Sequence, residues 1–209
     1  LGILQDHPVS IYLPFDSDIN DDSSYGHTVT ASGDAAISST QAKFGGNSLS
    51  LDGTDDYLQI ADHDAFEFGS EDWTLETWFY QNDNTGHIIA QKRNTNGTWG
   101  TGAWTLGVNT NYGVGNEIIG RIEFFSNEFN TGSPLLAYEK GSAFSSGWHH
   151  LALTRSGGDW RLFLDGSVVV SATWTGTMSD ASYPLTIGRD TYAGAGQRGY
   201  MNGYLDDFR

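Results

Sequence analysis

Four groups of residues in this chain have the types and spacing to do chemistry. Glu117 and Glu123 flank Ile118-Ile119-Gly120-Arg121-Ile122, an even spacing that puts both carboxyls on one face of an extended strand. Paired carboxyls about 5–10 Å apart hydrolyse glycosidic bonds, but six extended residues span about 20 Å, so the pair is a loose candidate. His149 and His150 are adjacent. Neighbouring strand residues point to opposite faces, so the two imidazoles cannot share one metal ion without a bulge. The expectation is one buried, hydrogen-bonded histidine and one partly exposed. Asp16-x-Asp18-x-Asn20 opens like a helical calcium loop. Its sixth position is Asp21 where that loop needs Gly, and its twelfth is His27 where it needs Glu, which excludes an EF-hand.

The fourth group is aromatic. Trp99 sits in Asn94-Thr95-Asn96-Gly97-Thr98-Trp99-Gly100-Thr101-Gly102, a glycine-rich loop that does not readily bury an indole. Tyr112, after Asn109-Thr110-Asn111, and Tyr192, after Asp190-Thr191, repeat the pattern. A pyranose face stacks on such a ring while Asn and Asp take its hydroxyls. Trp99, Tyr112, Tyr192, Asn96 and Asn111 therefore form a candidate carbohydrate-binding set. The alternative is that these rings pack under their own loops or meet a neighbouring domain. Trp73, Trp78 and Trp148 lie in strand-like segments and read as core.

These groups need a scaffold, and the composition describes one. The chain has 209 residues, 38% hydrophobic and 13% aromatic, enough for one large core, so a single domain over residues 1–209 is expected. With 27 glycines and frequent Asn, Asp, Ser and Thr clusters, many short strands joined by tight turns are favoured over helices. Strand signals fall at Val9 to Leu13, His27 to Ala31, Ser48 to Leu51, Tyr57 to Ile60, Trp73 to Tyr80, His87 to Lys92, Ala103 to Val108 and Ile118 to Phe125. They continue at Leu135 to Tyr138, Trp148 to Arg155, Trp160 to Leu164, Val168 to Trp174, Pro184 to Ile187 and Met201 to Phe208. That number implies two packed sheets. In Trp73 to Tyr80 both faces carry an aromatic, which marks a central strand. Asp165-Gly166 reads as a type I′ hairpin turn.

Charge and redox chemistry exclude several classes. A formal net charge of −16 with ten Lys and Arg disfavours nucleic acid, whose phosphates are met by cations. The acid is mostly Asp and crowds into turns such as 16–22 and 52–64. Such turns suit hard cations, and equally a soluble acidic surface. Without cysteine there is no disulfide or thiol catalysis. No apolar run approaches the about 20 residues of a membrane span. The chain begins at Leu1 without Met, so a module trimmed from a longer protein is expected.

Six segments in order carry a family resemblance. They are Leu51-Asp52-Gly53 with Asp55-Asp56-Tyr57-Leu58, Trp73-Thr74-Leu75-Glu76-Thr77-Trp78, and Trp148-His149-His150-Leu151-Ala152-Leu153-Thr154-Arg155. Leu162-Phe163-Leu164-Asp165-Gly166, Leu185-Thr186-Ile187-Gly188-Arg189 and Gly203-Tyr204-Leu205-Asp206-Asp207-Phe208-Arg209 complete the set. Together they resemble laminin G-like domains of the concanavalin A-like jelly-roll superfamily. The resemblance implies an all-β, two-sheet antiparallel jelly-roll sandwich. It implies a non-catalytic module that binds glycans or proteins outside cells, often with a structural calcium ion. The Glu-x-Asp-x-x-Glu triplet of hydrolases with this jelly roll is missing. Carried over by position, the calcium ligands fall on Asp16, Gly46 and Asp206, a clip joining the last strand to the N-terminal turn. Alternation puts Tyr204 with Asp206 on one face and Leu205 with Asp207 on the other, and Asp206 is expected to be the aspartate with an inward partner.

The leading expectation is a lectin-like or adhesion module of an extracellular, cell-surface or virion-surface protein that takes a glycan or cell-surface polysaccharide. The second is a structural protein-protein interaction module whose loops contact neighbouring chains. A polysaccharide-degrading glycoside hydrolase comes third.

Overall fold

The computed structural model describes residues 8–94, 100–111, 117–129, 134–191 and 199–209. Among these, the strands in chain order are β1 (Val29–Ser32), β2 (Ala36–Ser38), β3 (Ser48–Asp52), β4 (Tyr57–Ile60), β5 (Trp73–Gln81), β6 (His87–Lys92) and β7 (Trp104–Val108). They are followed by β8 (Arg121–Ser126), β9 (Leu136–Glu139), β10 (His149–Ser156), β11 (Asp159–Leu164), β12 (Ser167–Thr173), β13 (Leu185–Ile187) and β14 (Asn202–Asp206). They form two seven-stranded sheets, ordered β1-β4-β13-β6-β7-β8-β9 and β12-β11-β10-β5-β14-β3-β2. All pairings are antiparallel. The chain switches sheets repeatedly, as the jelly-roll expectation requires.

Local pattern explains much of this. In β5, Leu75, Thr77 and Phe79 are buried while Thr74, Glu76, Trp78 and Tyr80 face outward, less buried, and the strand lies between β10 and β14. The β11–β12 turn has Asp165 at φ 50° and Gly166 at φ 77°, the positive pair that a type I′ turn demands. Inward residues of both sheets make one core, centred on rings such as Trp160, Phe124, Phe79 and Trp73.

Four expectations change. Val9 to Leu13 is not a strand: only Leu13 bridges Phe208, while Tyr12 gives its N–H to the Asp21 carboxylate and its carbonyl to Asp22 N–H. The tail strand stops at Asp206, where Asp207 at φ 53° leaves extended geometry. The Ile118 to Phe125 segment becomes a strand only at Arg121, since Gly120 turns the chain at φ 77° and Arg121 N–H donates to Ile118 O at 3.1 Å. Glu117 and Glu123 therefore do not share a strand face. Trp78 is not core; it faces outward, as does the Tyr80 that Trp148 packs against. Strand β2 left no sequence signal, because three edge residues, one exposed and two half-buried, are too few to show alternation.

Candidate functional site

The first sheet departs from ordinary antiparallel patterning. One face is normally solvated, yet β6, β7, β8 and β13 are buried at every position. Leu185, Ile187, Ala90, Leu106, Val108, Ile122 and Phe124 fill the core. Thr186, Gln91 and Thr105 point to the other side. These three are direct partners across neighbouring strands, and each is 0% exposed. The Thr186 Oγ1, Thr105 Oγ1 and both amide atoms of Gln91 have no hydrogen-bond partner. Buried polar atoms almost always have one, from protein, water or ligand. The row thus presents four unanswered donor or acceptor atoms in a line across three strands.

Charged residues frame the row. Arg121 donates to Glu123 through Nε at 3.1 Å and to Glu139 through Nη1 at 2.6 Å. On the other side Arg93 Nη1 lies 3.4 Å from Asp190 Oδ1, both buried. Next to that pair the Thr191 hydroxyl donates to Asn94 O at 3.0 Å. This bond joins the stems of two connections, one carrying Asn96 and Trp99 and the other Tyr192. Trp99, Asn96, Tyr112 and Tyr192 lie outside the described residues. Asn111 is within them and is buried, 8% exposed.

The carboxylates here are engaged. The Glu123 Oε2 takes two guanidinium contacts, and Glu117 Oε1 accepts from Gly86 N–H at 2.9 Å. Glu123 is thus held by a guanidinium and Glu117 by a backbone amide. His149 is buried, with Nδ1 2.8 Å from Asp165 Oδ2, whereas half-buried His150 places Nε2 3.1 Å from Glu76 Oε2 on the other face. The expected split between the two histidines holds. The order Ser145, His149, Asp165 suggests a nucleophile and base. However, His149 Nε2 is as close to the Ser145 carbonyl as to its hydroxyl, 3.1 Å each. Because Nδ1 carries the hydrogen that the Asp165 carboxylate accepts, Nε2 of a neutral ring accepts from the Ser145 hydroxyl and does not donate to the carbonyl.

The chain ends meet at a second locus. Asp206 is fully buried. Its partner is not in the core, for it shares the outer face with Tyr204 and is covered by the loop before β3. Lys43 N–H and Phe44 N–H donate to its Oδ2 at 2.8 and 3.0 Å, while Oδ1 has no partner. Burial pushes its carboxyl above the usual range, against the pull of the Phe44 and Lys43 amides. The Asp16 carboxylate packs against Gly45, where a Cβ would overlap it, and Asn47 Nδ2 donates to Asp16 O at 2.6 Å. Asp16, Gly46 and Asp206 thus converge on one loop. An orphaned buried carboxylate oxygen, on a loop that a second carboxylate also touches, fits a hard cation.

Two other acidic groups, Asp52 with Asp55 and Asp56, and Asp62 with Glu67 and Asp180, lie close enough to share an ion, and protein partners engage part of each. Asp56 accepts from Asp34 N–H at 2.5 Å and Asp52 N–H at 2.9 Å, and Lys92 pairs with both Asp62 and Glu67. Sequence reasoning missed Asp21. It accepts from the N–H groups of Tyr12, Ser23 and His27, and from the Ser23 hydroxyl. No local signal separates it from the aspartates around it.

Comparison with known proteins follows this geometry. Residues 52–209 match the Laminin_G_3 model of the concanavalin A-like lectin/glucanases superfamily, and the chain belongs to that superfamily. No curated protein sequence matches it. Domain 4 of AbnA, a GH43 extracellular arabinanase from Geobacillus stearothermophilus, solved with arabinotriose, superposes with TM-score 0.67 at 15% identity, covering 97% of this chain and 91% of that one. The binding domain of Paraclostridial Mosquitocidal Protein 1 gives TM-score 0.67 at 13% identity, covering 96% of this chain and 48% of that chain. Mouse laminin α1 domains LG4-5 give 0.52 at 14%, covering 90% and 42%. The chain spans about half the length of the latter two. At such identities the likeness is one of fold.

Proposed function

We propose that the chain is a non-catalytic carbohydrate-binding or adhesion module of an extracellular, cell-surface or virion-surface protein, closed at its chain ends by a structural calcium ion. The observation that carries this reading is the unpaired row Thr186, Gln91 and Thr105, beside the joined stems of the connections that bear Trp99 and Tyr192. The row is fully covered, so a hydroxyl-rich ligand meets it through bridging water and not by direct contact. Trp99, Tyr112 and Tyr192 supply stacking rings, Asn96 and Asn111 amides. The arabinotriose complex of the AbnA domain supports a sugar as ligand. The engaged carboxylates support binding without hydrolysis. Asp16, Gly46 and Asp206 would hold the calcium, which neutralises the buried Asp206 and fastens the tail to the N-terminal turn. A net charge of −16 argues against nucleic acid, and no helix of the described residues is long and apolar enough to cross a membrane.

A glycan array at millimolar calcium tests the reading. Specific sugars are expected to bind, and Trp99→Ala to weaken them about tenfold, the equivalent of about 1.4 kcal/mol. Silence across the array, or a Trp99→Ala variant equal to the parent, overturns it. A protein-contact module is favoured by one observation. Phe44 is 45% exposed and packs on outward-facing Trp78, beside Tyr80 and Tyr204.

A further inference from the structure

A cavity of about 780 Å³ enters the end of the sandwich between the two sheets, within the range of about 300–1,000 Å³ that holds small ligands. Leu75 of β5 lines it from one sheet, Trp104 of β7 and Leu185 of β13 from the other, together with Phe66 and Ile11. All five belong to the core, yet each keeps 3–7% exposure, whereas core residues away from the cavity such as Leu49, Leu58 and Phe79 keep none. The core is incompletely covered at this end. Phe68 adds to the same wall, its ring centroid 3.9 Å from that of Trp73 and 4.9 Å from that of Trp104. Apolar surface left in contact with water is unfavourable, so a ligand that covers it is stabilised.

The charges around the cavity select against an ionic ligand. Glu67, Glu71, Asp72 and Glu76 line it and repel an anion. Three of them already have partners: Glu67 pairs with Lys92, Glu76 with Arg209, and Asp72 accepts from Ser156 and Gly157. Arg155 also lines it, 3% exposed and held by the Gly69 and Gly176 carbonyls, and a second cation brought beside it would be repelled. Location adds a further constraint. Glu67 pairs with the last residue of β6, and Trp104 is the first residue of β7. Both stems of the connection that carries Asn96 and Trp99 therefore border the cavity.

We infer that this cavity binds an uncharged alkyl or aryl group. Resting on the carbohydrate reading above, that group is the aglycone of the glycan taken by the neighbouring loops, so the ligand class is a neutral glycoside with an apolar tail. The tail lies between the sheets and the sugar outside them.

Titration calorimetry of the intact chain with 1-butanol, 1-hexanol and 1-octanol tests the cavity without any sugar. Affinity is expected to rise about tenfold for every two added methylenes, and octanoate and octylammonium each to bind at least about tenfold more weakly than 1-octanol, because their charge resists burial. In the unaltered protein 8-bromo-1-octanol should quench tryptophan emission from Trp73 and Trp104. Half-buried Ala65 also lines the cavity, and Ala65→Trp should abolish 1-octanol binding at an unchanged melting temperature. For a sugar found on the array, the octyl glycoside should bind at least about tenfold more tightly than the methyl glycoside, and Ala65→Trp should erase that difference. No binding of 1-octanol, no quenching, or ionic probes equal to 1-octanol overturns the inference whatever the array returns. A silent array with 1-octanol bound, or octyl and methyl glycosides of equal affinity, overturns the aglycone assignment alone.

Discussion

Replacing Asp206 by Asn separates the calcium clip from simple packing. The side chain is fully buried, with one oxygen held by Lys43 and Phe44 amides and the other unpaired. Asn has nearly the same shape and keeps one carbonyl oxygen for the amides, but loses the charge that a cation needs. With calcium at a hundred times its dissociation constant, the linkage stabilises the fold by about 2.7 kcal/mol. For a chain of this size each kcal/mol moves the midpoint by about 2–4 °C, so chelation should lower the parent's midpoint by about 5–11 °C. Asp206→Asn should melt at the same temperature with and without calcium. In chelator it should match or exceed the parent, because the parent then carries an uncompensated buried charge. Differential scanning calorimetry in calcium and in chelator reads all four states. A parent indifferent to chelation, or a variant that keeps the full shift, refutes the reasoning.

Two further outcomes concern the scaffold. Burial alone would raise the Asp21 carboxyl, but the amides of Tyr12, His27 and Ser23 outweigh it and hold the group below its usual range. A depressed carboxyl stabilises the fold above the unfolded value of about 3.9 and loses that contribution as pH falls through the folded value. Urea unfolding should therefore show Asp21→Asn less stable than the parent by about 1–3 kcal/mol at pH 7, with the gap closing in acid; a gap independent of pH contradicts this. At Gly203 in β14 a Cβ would overlap the Tyr80 carbonyl of β5, so Gly203→Ala should cost about 1–3 kcal/mol in the same assay. A variant as stable as the parent would show that the strands can separate there freely.

Several sequence expectations survive because they rest on local rules. Alternation in Trp73 to Tyr80 gives faces that any sheet must respect, and that strand is central. Asp165-Gly166 turns as a type I′ pair because its backbone preference is intrinsic. The histidines split because neighbouring residues face apart. Failures came where tertiary context overrides pattern. Glu117 and Glu123 have strand spacing, but Gly120 turns the chain between them. Asp206 is buried as expected, yet by a loop lying on the outer face, which alternation cannot foresee.

By itself, the sequence determined an all-β sandwich, its central strand, its tight turns and an acidic chain poor in cations, since each follows from residue type or from spacing within one segment. Only the tertiary structure decided which polar groups meet. Thr186, Gln91 and Thr105 come from three strands separated in the chain and become one row through pairing register. Asp16 and Asp206, near opposite ends of the chain, converge on the loop 43–47. The cavity between the sheets exists only once the layers pack, because burial belongs to the assembled sandwich and not to any segment of it.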